Sequence, residues 1–136
     1  MREILFRGKT HKGEWLYGSL EIKYGWRIIE GERQIDHRIC DVNDKCENVD
    51  PTTIGQYTGL TDKNGKKIFE GDIVAGAVHW LGRMKNGVVT FRDGSFGLIW
   101  YRGDIEQFNP FTSMCNVEYE VIGNIHDNPE LLKGGE

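Results

Sequence analysis

The chain has 136 residues, of which 38% are apolar and 11% aromatic, which is enough to bury the core of a single domain. Its net charge is −4, with 21 acidic against 17 basic residues. This argues against nucleic-acid binding, because most proteins that bind nucleic acids are strongly basic. Eighteen glycines against three prolines, with four Trp, five Tyr and six Phe, favour short strands joined by tight turns.

The N-terminus and the cysteines bear on the compartment. The stretch MREILFRGK has three apolar residues before Arg7 and so lacks the apolar segment of a secretion signal. The longest apolar runs, such as FGLIWY at 96–101, are far shorter than the ~20 residues of a membrane helix. Cys40, Cys46 and Cys115 are odd in number and form no CxxC pair, which predicts free thiols. We therefore expect a cytoplasmic protein with no membrane contact.

The first half of the chain shows short apolar stretches with glycine between them, which predicts strands. These predicted strands are residues 4–6, 15–22, 26–30 and 34–42. The tripeptide YGW at 24–26 is predicted to reverse the chain between the second and the third. Pro51 restricts Asp50 to extended geometry, and so predicts a turn or the start of a helix there.

A β-hairpin is predicted around Asp93-Gly94, because both residues tolerate the positive φ that a type I′ turn requires. The register that follows pairs Arg92 with Ser95, Phe91 with Phe96, Thr90 with Gly97, Val89 with Leu98 and Val88 with Ile99. Phe91 and Phe96 then share a face with Val89 and Leu98, with Trp100 next along it. We expect that face to be part of the core.

The stretch TGLTDKNGKKIFEGDIV, residues 58–74, has the glycines and charges of a ligand loop but fails the spacing tests. A phosphate-binding loop needs four residues between its glycines and a hydroxyl after its lysine, and a calcium loop needs glycine and glutamate at set places. Residues 58–74 meet neither requirement, so the remaining interpretation is that the stretch forms turns. Asn64-Gly65 predicts a type I′ turn, KIF a short strand, and Asp72 a bend in which its carboxylate accepts bonds from nearby backbone amides.

The C-terminal part predicts one strand and one short helix. Alternating apolar and acidic residues at 116–125 are typical of a strand with one wet face. Asn128 then suits the N-cap position and Pro129 the first helical position, which predicts a terminal turn of helix.

Catalytic and metal-binding patterns are weak. A cysteine and a histidine three apart on one strand, as in His37 and Cys40, point to opposite faces. Zinc binding by His37, Cys40, Cys46 and His126 would need the spacing H-x2-C-x5-C, which matches no usual zinc motif. We predict no catalytic residue, no cofactor and no metal ligand. An enzyme acting on a small substrate stays open as an alternative, with pocket groups Asp62, Glu70, Asp72 and His79.

Charge is unevenly placed along the chain. Residues 58–92 carry six bases against three acids, whereas residues 93–136 carry two bases against eight acids. Opposed segments of this kind suit self-association, or present a basic surface to a polyanion. The residues of the predicted binding surface are Tyr57, Asp62, Lys63, Lys66, Lys67, Glu70, Asp72, Arg83 and Lys85. A nucleic acid could bind there, with Trp80 or Tyr57 stacking on bases, although a pI near 5.6 disfavours it.

Several of these strings resemble the YopX family of phage and prophage proteins. The likeness lies in MREILFRGK, GEWLYGSL, DPTTIGQYTGLTDKNGKKIFEGDIV, GVVTFRDGSFGL and YEVIGNIHDNPELL, which span nearly the whole chain. The chain departs from the FRAWD-like start of many members, since Gly8 and Lys9 follow Phe6-Arg7. The resemblance implies a phage-encoded, mostly β protein of a bacterial cytoplasm, whose second half is a small SH3-like barrel. It implies no catalytic residues.

We therefore predict a mostly β fold of short, twisted antiparallel strands in one compact unit, residues 1–136. Residues 1–57 form an N-terminal β region, and residues 58–136 a barrel-like region that ends in a short helical turn. The predicted function is that of a non-enzymatic module that binds a host or phage protein, with self-association as a second possibility for its partner.

Overall fold

The computed structural model describes residues 3–80, 83–111 and 119–133, without the side chains of residues 26–27, 76–80, 83–84 and 133. Over these residues the chain forms eleven strands and one short helix, which confirms the predicted mostly β fold class. The chain divides into two compact units, Met1–Tyr57 and Thr58–Glu136. That residues 1–136 act as a single unit stays a prediction.

The first unit is an antiparallel sheet with the strand order β4-β3-β2-β1-β5. Its strands are β1 (Phe6–Lys9), β2 (Trp15–Ile29), β3 (Glu32–Cys40), β4 (Cys46–Asn48) and the first part of β5 (Asp50–Thr61). Ile39 and Val49 are buried in it. A Cβ atom on Gly8 would lie 2.8 Å from Cγ2 of Val49, so β1 needs a glycine at this point. Arg7 is buried beside it, with its guanidinium carbon 4.8 Å from the centre of the Trp15 ring.

The predicted chain reversal at 24–26 is wrong. β2 continues from Trp15 to Ile29, with only a register irregularity between Tyr24 and Ile28. The chain turns instead at Glu30 and Gly31, which both have positive φ, 52° and 81°. Two positive φ values in succession give a type I′ turn, whose twist matches that of the strands on either side.

The turn or helix predicted at Pro51 is also wrong, because Pro51 lies inside β5. The pairing of β1 with β5 is irregular between Arg7, opposite Gly55, and Lys9, opposite Asp50, so Pro51 falls where the ladder is interrupted. A strand tolerates a proline at such a place because no ladder hydrogen bond needs its missing N–H.

The second unit is a five-stranded antiparallel sheet with the order β10-β9-β8-β7-β11. Its elements are β6 (Lys67–Phe69), β7 (Asp72–Trp80), β8 (Arg83–Arg92), β9 (Ser95–Arg102), β10 (Ile105–Pro110), β11 (Glu120–Asn124) and α1 (Glu130–Lys133). The end of β5 and β6 form a hairpin, and Ile68 of that hairpin packs in one cluster with Val74, Val89 and Leu98. For the residues described, the strand pairings form an open sheet rather than a closed ring.

The β8–β9 hairpin has the predicted register at all five pairs. Asp93 and Gly94 have φ of 53° and 83°, which confirms the type I′ turn. Val89 and Leu98 are buried, and the Phe91 and Phe96 rings meet edge to face with centroids 5.0 Å apart. Phe91 itself is 53% exposed, so the prediction that it belongs to the core is wrong. On this face the core ends at the pair of Val89 and Leu98.

The predicted C-terminal helix is confirmed as the short helix α1. Asn128 precedes it, but its Oδ1 accepts from the amide of Asn124 at 3.3 Å, in the chain before the helix. Its carbonyl accepts from the amide of Leu131 at 3.1 Å. α1 has four residues, and no helix of the described ranges is long enough to cross a bilayer.

Candidate functional site

The turn at residues 62–66 is built around the carboxylate of Asp62. Oδ1 accepts from the amides of Asn64 at 2.8 Å and Lys66 at 2.9 Å, and Oδ2 accepts from the amide of Val121 in β11 at 2.9 Å. The carbonyl of Asp62 accepts from the amide of Gly65 at 3.0 Å. One buried carboxylate thus forms the turn and attaches it to the neighbouring strand.

This geometry corrects the predicted type I′ turn. Only Gly65 has a positive φ, 82°, and the amide of Asp62 donates to the carbonyl of Lys66 at 2.8 Å. That is a three-residue loop, in which a type I turn is followed by one left-handed residue and a bulge. Asn64 needs no positive φ here, because the Asp62 carboxylate holds its amide.

The ionisation of Asp62 follows from these contacts. Asp62 is 6% exposed, and burial alone raises the pKa of its carboxyl. The amides of Val121, Lys66 and Asn64, together with the charge of Lys66, outweigh burial and hold the pKa below its usual 3.8. Asp62 is therefore a structural anion at neutral pH and a poor proton donor.

Asp72 has the role predicted for it. Its Oδ2 accepts from the amide of Phe69 at 2.8 Å, and the residue is 1% exposed. Gly71, with φ 89°, donates to the carbonyl of Val89 at 2.9 Å and accepts from the amide of Ile125 at 2.9 Å. The bend therefore joins β6, β7 and β8. Asp72 lies inside the unit, so it is not part of the predicted binding surface.

The other residues of the predicted surface are brought together only in part. Lys63, Lys66 and Lys67 are exposed around the β5–β6 hairpin, and Lys63 pairs with Glu120 at 3.8 Å. Glu70 and Lys85 are half-buried, and the side chain of Arg83 lies outside the described residues. Tyr57 is 8% exposed, so the prediction that bases could stack on its ring is wrong. The side chains of Trp80 and His79 also lie outside the description.

The first unit carries a surface that the sequence analysis missed, the β2–β3 ribbon of residues 20–37. β1 pairs with β2 only as far as Gly18, and β4 pairs with β3 only from Arg38. Among the strands described, none pairs with the outer edges of residues 20–29 and 32–36. The ribbon is thus two strands wide. An isolated two-stranded hairpin is marginally stable in water, so such a ribbon gains from being covered.

The two faces of the ribbon differ in chemistry. Tyr24 lies opposite Ile35 and Ile22 opposite His37, and this apolar face continues inward to the buried Ile39. Tyr24 is 65% exposed. Ile22 and Ile35 on the same face are also exposed, at 43% and 45%. Concentrated exposed apolar surface of this kind marks an interaction site.

The opposite face of the ribbon is charged. Lys23 lies opposite Asp36, and Glu21 lies opposite Arg38, whose Nη1 is 3.1 Å from Oε1 of Glu21. The alternation of Leu20, Ile22 and Tyr24 with charged neighbours is visible in the sequence. It was overlooked because the chain was expected to reverse at Tyr24.

The β3–β4 connection repeats the 62–66 turn within the first unit. Asp41 Oδ1 accepts from the amides of Asn43 at 2.9 Å and Lys45 at 3.0 Å, and Asp44 takes the left-handed position with φ 59°. The sequences are DVNDK at 41–45 and DKNGK at 62–66. In both turns the aspartate carboxylate accepts from the backbone amides two and four residues further on.

A disulfide bond joins Cys40 and Cys46, on either side of the 41–45 turn. The predicted free thiols are therefore wrong for this pair, while Cys115 lies outside the described residues. The two cysteines are direct cross-strand partners with Cα atoms 4.0 Å apart, a proximity that sequence spacing alone does not reveal. Glu21 lies beside them, with a carboxylate oxygen within 4.8 Å of both sulfur atoms.

Two shallow clefts flank the Thr10–Gly13 turn of the first unit. One, of about 500 Å³, is lined by residues that include Lys9, Val49 and Thr53. The other, of about 480 Å³, is lined by residues that include Cys46 and Arg38. Their charged groups are of both signs, so they do not define a strong anion or cation site by charge alone.

Fold and surface together define a class of protein: a mostly β protein of two units, with an exposed apolar ribbon and carboxylates used for turns. The chain belongs to the YopX family, since the family model described as "YopX protein" matches residues 5–133. This confirms the resemblance. It is also similar to the crystal structure of protein EF1440 from Enterococcus faecalis, at 26% identity and a TM-score of 0.51 over 97% of this chain and 99% of that one. No curated protein matches.

Proposed function

We propose that this protein is a non-enzymatic protein-binding module, encoded by a phage or prophage and working in the bacterial cytoplasm. The observation that carries the proposal is the apolar face of the β2–β3 ribbon, where Ile22, Tyr24 and Ile35 are exposed on one side of an amphipathic hairpin. The non-enzymatic part of the proposal is supported by Asp62 and Asp72, two of the suggested pocket groups. Both are buried, and their carboxylates accept hydrogen bonds from backbone amides, which is a structural role.

The occupant of this face is a second copy of the chain. From Leu20 to Tyr24 and from Ile35 to Ile39, the face carries no carboxylate, lysine or arginine, and its polar groups are His37 and the Tyr24 hydroxyl. An apolar surface without charge pairs best with another of the same kind, because burying an unpaired charge is costly. A second copy offers such a surface, and a two-fold axis lets the same patch serve both partners.

Changing the apolar face is expected to abolish self-association. Replacing Tyr24 and Ile35 together by serine should turn a dimer into a monomer, since each dimer buries both residues twice. The matched control replaces Lys23 and Asp36 by serine on the opposite face and should leave the dimer intact. Analytical ultracentrifugation over a range of concentrations measures the change, and circular dichroism checks that each variant is folded.

Two results would contradict the second-copy occupant. One is a wild-type chain that stays monomeric at every concentration. The other is a Tyr24→Ser, Ile35→Ser variant that dimerises as well as the parent. If the monomeric wild type instead captures a host or phage protein and the variant does not, the ribbon binds another partner and self-association is excluded.

A second candidate function is nucleic-acid binding at the β5–β6 hairpin. The favouring observation is that Lys63, Lys66 and Lys67 are all exposed around one short hairpin. We expect a gel shift at low salt that is lost when Lys66 and Lys67 are replaced by glutamate, because affinity for phosphate chains depends on positive charge. The control variant replaces Lys12 and Lys45 by glutamate, which changes the net charge by the same amount away from the hairpin, and it should keep the gel shift. No shift with single or double strands, or equal loss in both variants, removes this candidate.

A further inference from the structure

The 41–45 turn does not depend on the disulfide bond that flanks it. Its backbone closes through the amide of Asp41, which donates to the carbonyl of Lys45 at 3.0 Å, and through Asp44, which donates to the carbonyl of Asp41 at 3.0 Å. The Asp41 carboxylate adds two further bonds. The turn is therefore complete without any covalent link.

The 62–66 turn acts as an internal control for this point. It has the same hydrogen-bond scheme, yet Thr61 and Lys67 stand where the other turn has Cys40 and Cys46. The turn from Thr10 to Glu14 repeats the scheme with a threonine hydroxyl and again without cysteines. Since this kind of turn closes twice without a crosslink, the cysteine pair is not required to close the 41–45 turn.

A third donor converges on the cysteine pair. One carboxylate oxygen of Glu21 and both sulfur atoms lie within 4.8 Å of one another. Cys40 is buried, and Cys46 lines the open cleft of about 480 Å³, which gives access from solvent. Arg38 is 3.1 Å from Glu21 and balances its charge while the sulfur atoms are uncharged. Two thiolates and one carboxylate are a ligand set suited to zinc.

We propose that the reduced form of this cluster binds a thiophilic divalent cation, of which zinc is the type, through Cys40, Cys46 and Glu21. A dithiol reductant supplies two electrons and two protons to the disulfide and itself becomes a disulfide. The cation then displaces the two thiol protons to solvent, and water completes the coordination. The oxidised form has no thiolate and holds no cation. The same pair of sulfur atoms is therefore either a crosslink or a metal site.

The test uses the full chain carrying Cys115→Ser, so that Cys40 and Cys46 are its only cysteines. The protein is reduced with a phosphine, which is then removed, and is titrated anaerobically with Co²⁺ or Zn²⁺. We expect one equivalent of cobalt to give a thiolate-to-metal absorption band. Zinc should displace the cobalt, and each zinc bound should release two protons. The oxidised protein should give no band.

Variants test whether Glu21 is the third ligand, and circular dichroism distinguishes loss of the ligand from loss of the fold. Glu21→Gln should weaken cation binding at least about tenfold, as expected for loss of a ligand or its support. Glu32→Gln, an exposed change on the same hairpin, should have no effect. Arg38→Gln should tighten binding because it frees the Glu21 carboxylate. A reduced protein that is folded by circular dichroism but gives no cobalt band overturns the proposal, as does an undiminished band in Cys46→Ser.

Discussion

Replacing Asp62 by alanine is expected to lower the free energy of unfolding of the second unit by about 2–4 kcal/mol, from the loss of charge-assisted hydrogen bonds. The amides of Asn64, Lys66 and Val121 all donate to this one carboxylate. In the alanine variant water can replace the carboxylate at the turn amides. The amide of Val121 lies where the turn meets β11, so we expect the loss of its bond to make the larger contribution. Urea unfolding measures the loss, and hydrogen exchange at Val121 localises it.

Asp41→Ala is the matched control, since it removes the same two hydrogen bonds within a turn of the same design. Asp41 is exposed, and within the described part of the chain its carboxylate bonds only to amides of its own turn, so we expect a cost of about 0.5–1.5 kcal/mol. Equal costs for the two variants would mean that the bond from Val121 contributes nothing, and would contradict the role given to Asp62.

The same carboxylate predicts how stability changes with pH. The pKa of Asp62 is lower in the folded chain than its usual 3.8, so its contribution is complete above pH 3.8 and is lost as the pH falls through the folded pKa. Stability of the parent should therefore fall more steeply below pH 3.8 than that of Asp62→Asn. Parallel curves for the two proteins would contradict the lowered pKa.

Replacing Ile68 by alanine is expected to cost about 2–5 kcal/mol, the range for a buried isoleucine whose site cannot collapse. Ile68 is fully buried and carries the β5–β6 hairpin onto Val74, Val89 and Leu98 of the five-stranded sheet. The loss combines the transfer of the side chain with the cavity it leaves. Urea unfolding gives the free energy, and faster hydrogen exchange in β8 and β9 should accompany it.

Ile105→Ala makes the same chemical change on the surface, at a residue that is mostly exposed. We expect it to change stability by less than about 0.5 kcal/mol. If Ile68→Ala were equally mild, the hairpin would not be packed on the sheet, and the core assigned to the second unit would be wrong.

The sequence predicted the β8–β9 hairpin in full because Asp93 and Gly94 both tolerate positive φ and because one register alone buries Val89 with Leu98. The same reasoning failed at Asn64-Gly65. There the carboxylate of Asp62 binds the amides of the turn and selects a longer loop, in which only Gly65 is left-handed. Dipeptide signals predict a turn well only when no nearby side chain competes for its amides.

The candidate surface was missed for a different reason. Predicting a reversal at residues 24–26 divided β2 into two short strands, so the continuous strand to Ile29 was not recognised. The pairing of Cys40 with Cys46 was missed because it depends on the 41–45 turn, which has no glycine to reveal it. Of the predicted surface residues, Asp62, Asp72 and Tyr57 proved buried. The two carboxylates bind backbone amides inside the fold, and the tyrosine ring is buried, which their residue types alone do not reveal.

The one-sided chemistry of the ribbon, from Leu20 to Tyr24 and from Ile35 to Ile39, limits how far association through this part can go. A ribbon that is apolar on both faces could stack without end, as strands do in fibres. Here Glu21, Lys23, Asp36 and Arg38 form the outer surface of any stacked pair, so a third ribbon would have to desolvate charges already partnered across the strands. Assembly through this face is therefore finite, and the protein can reach high concentration without polymerising along it.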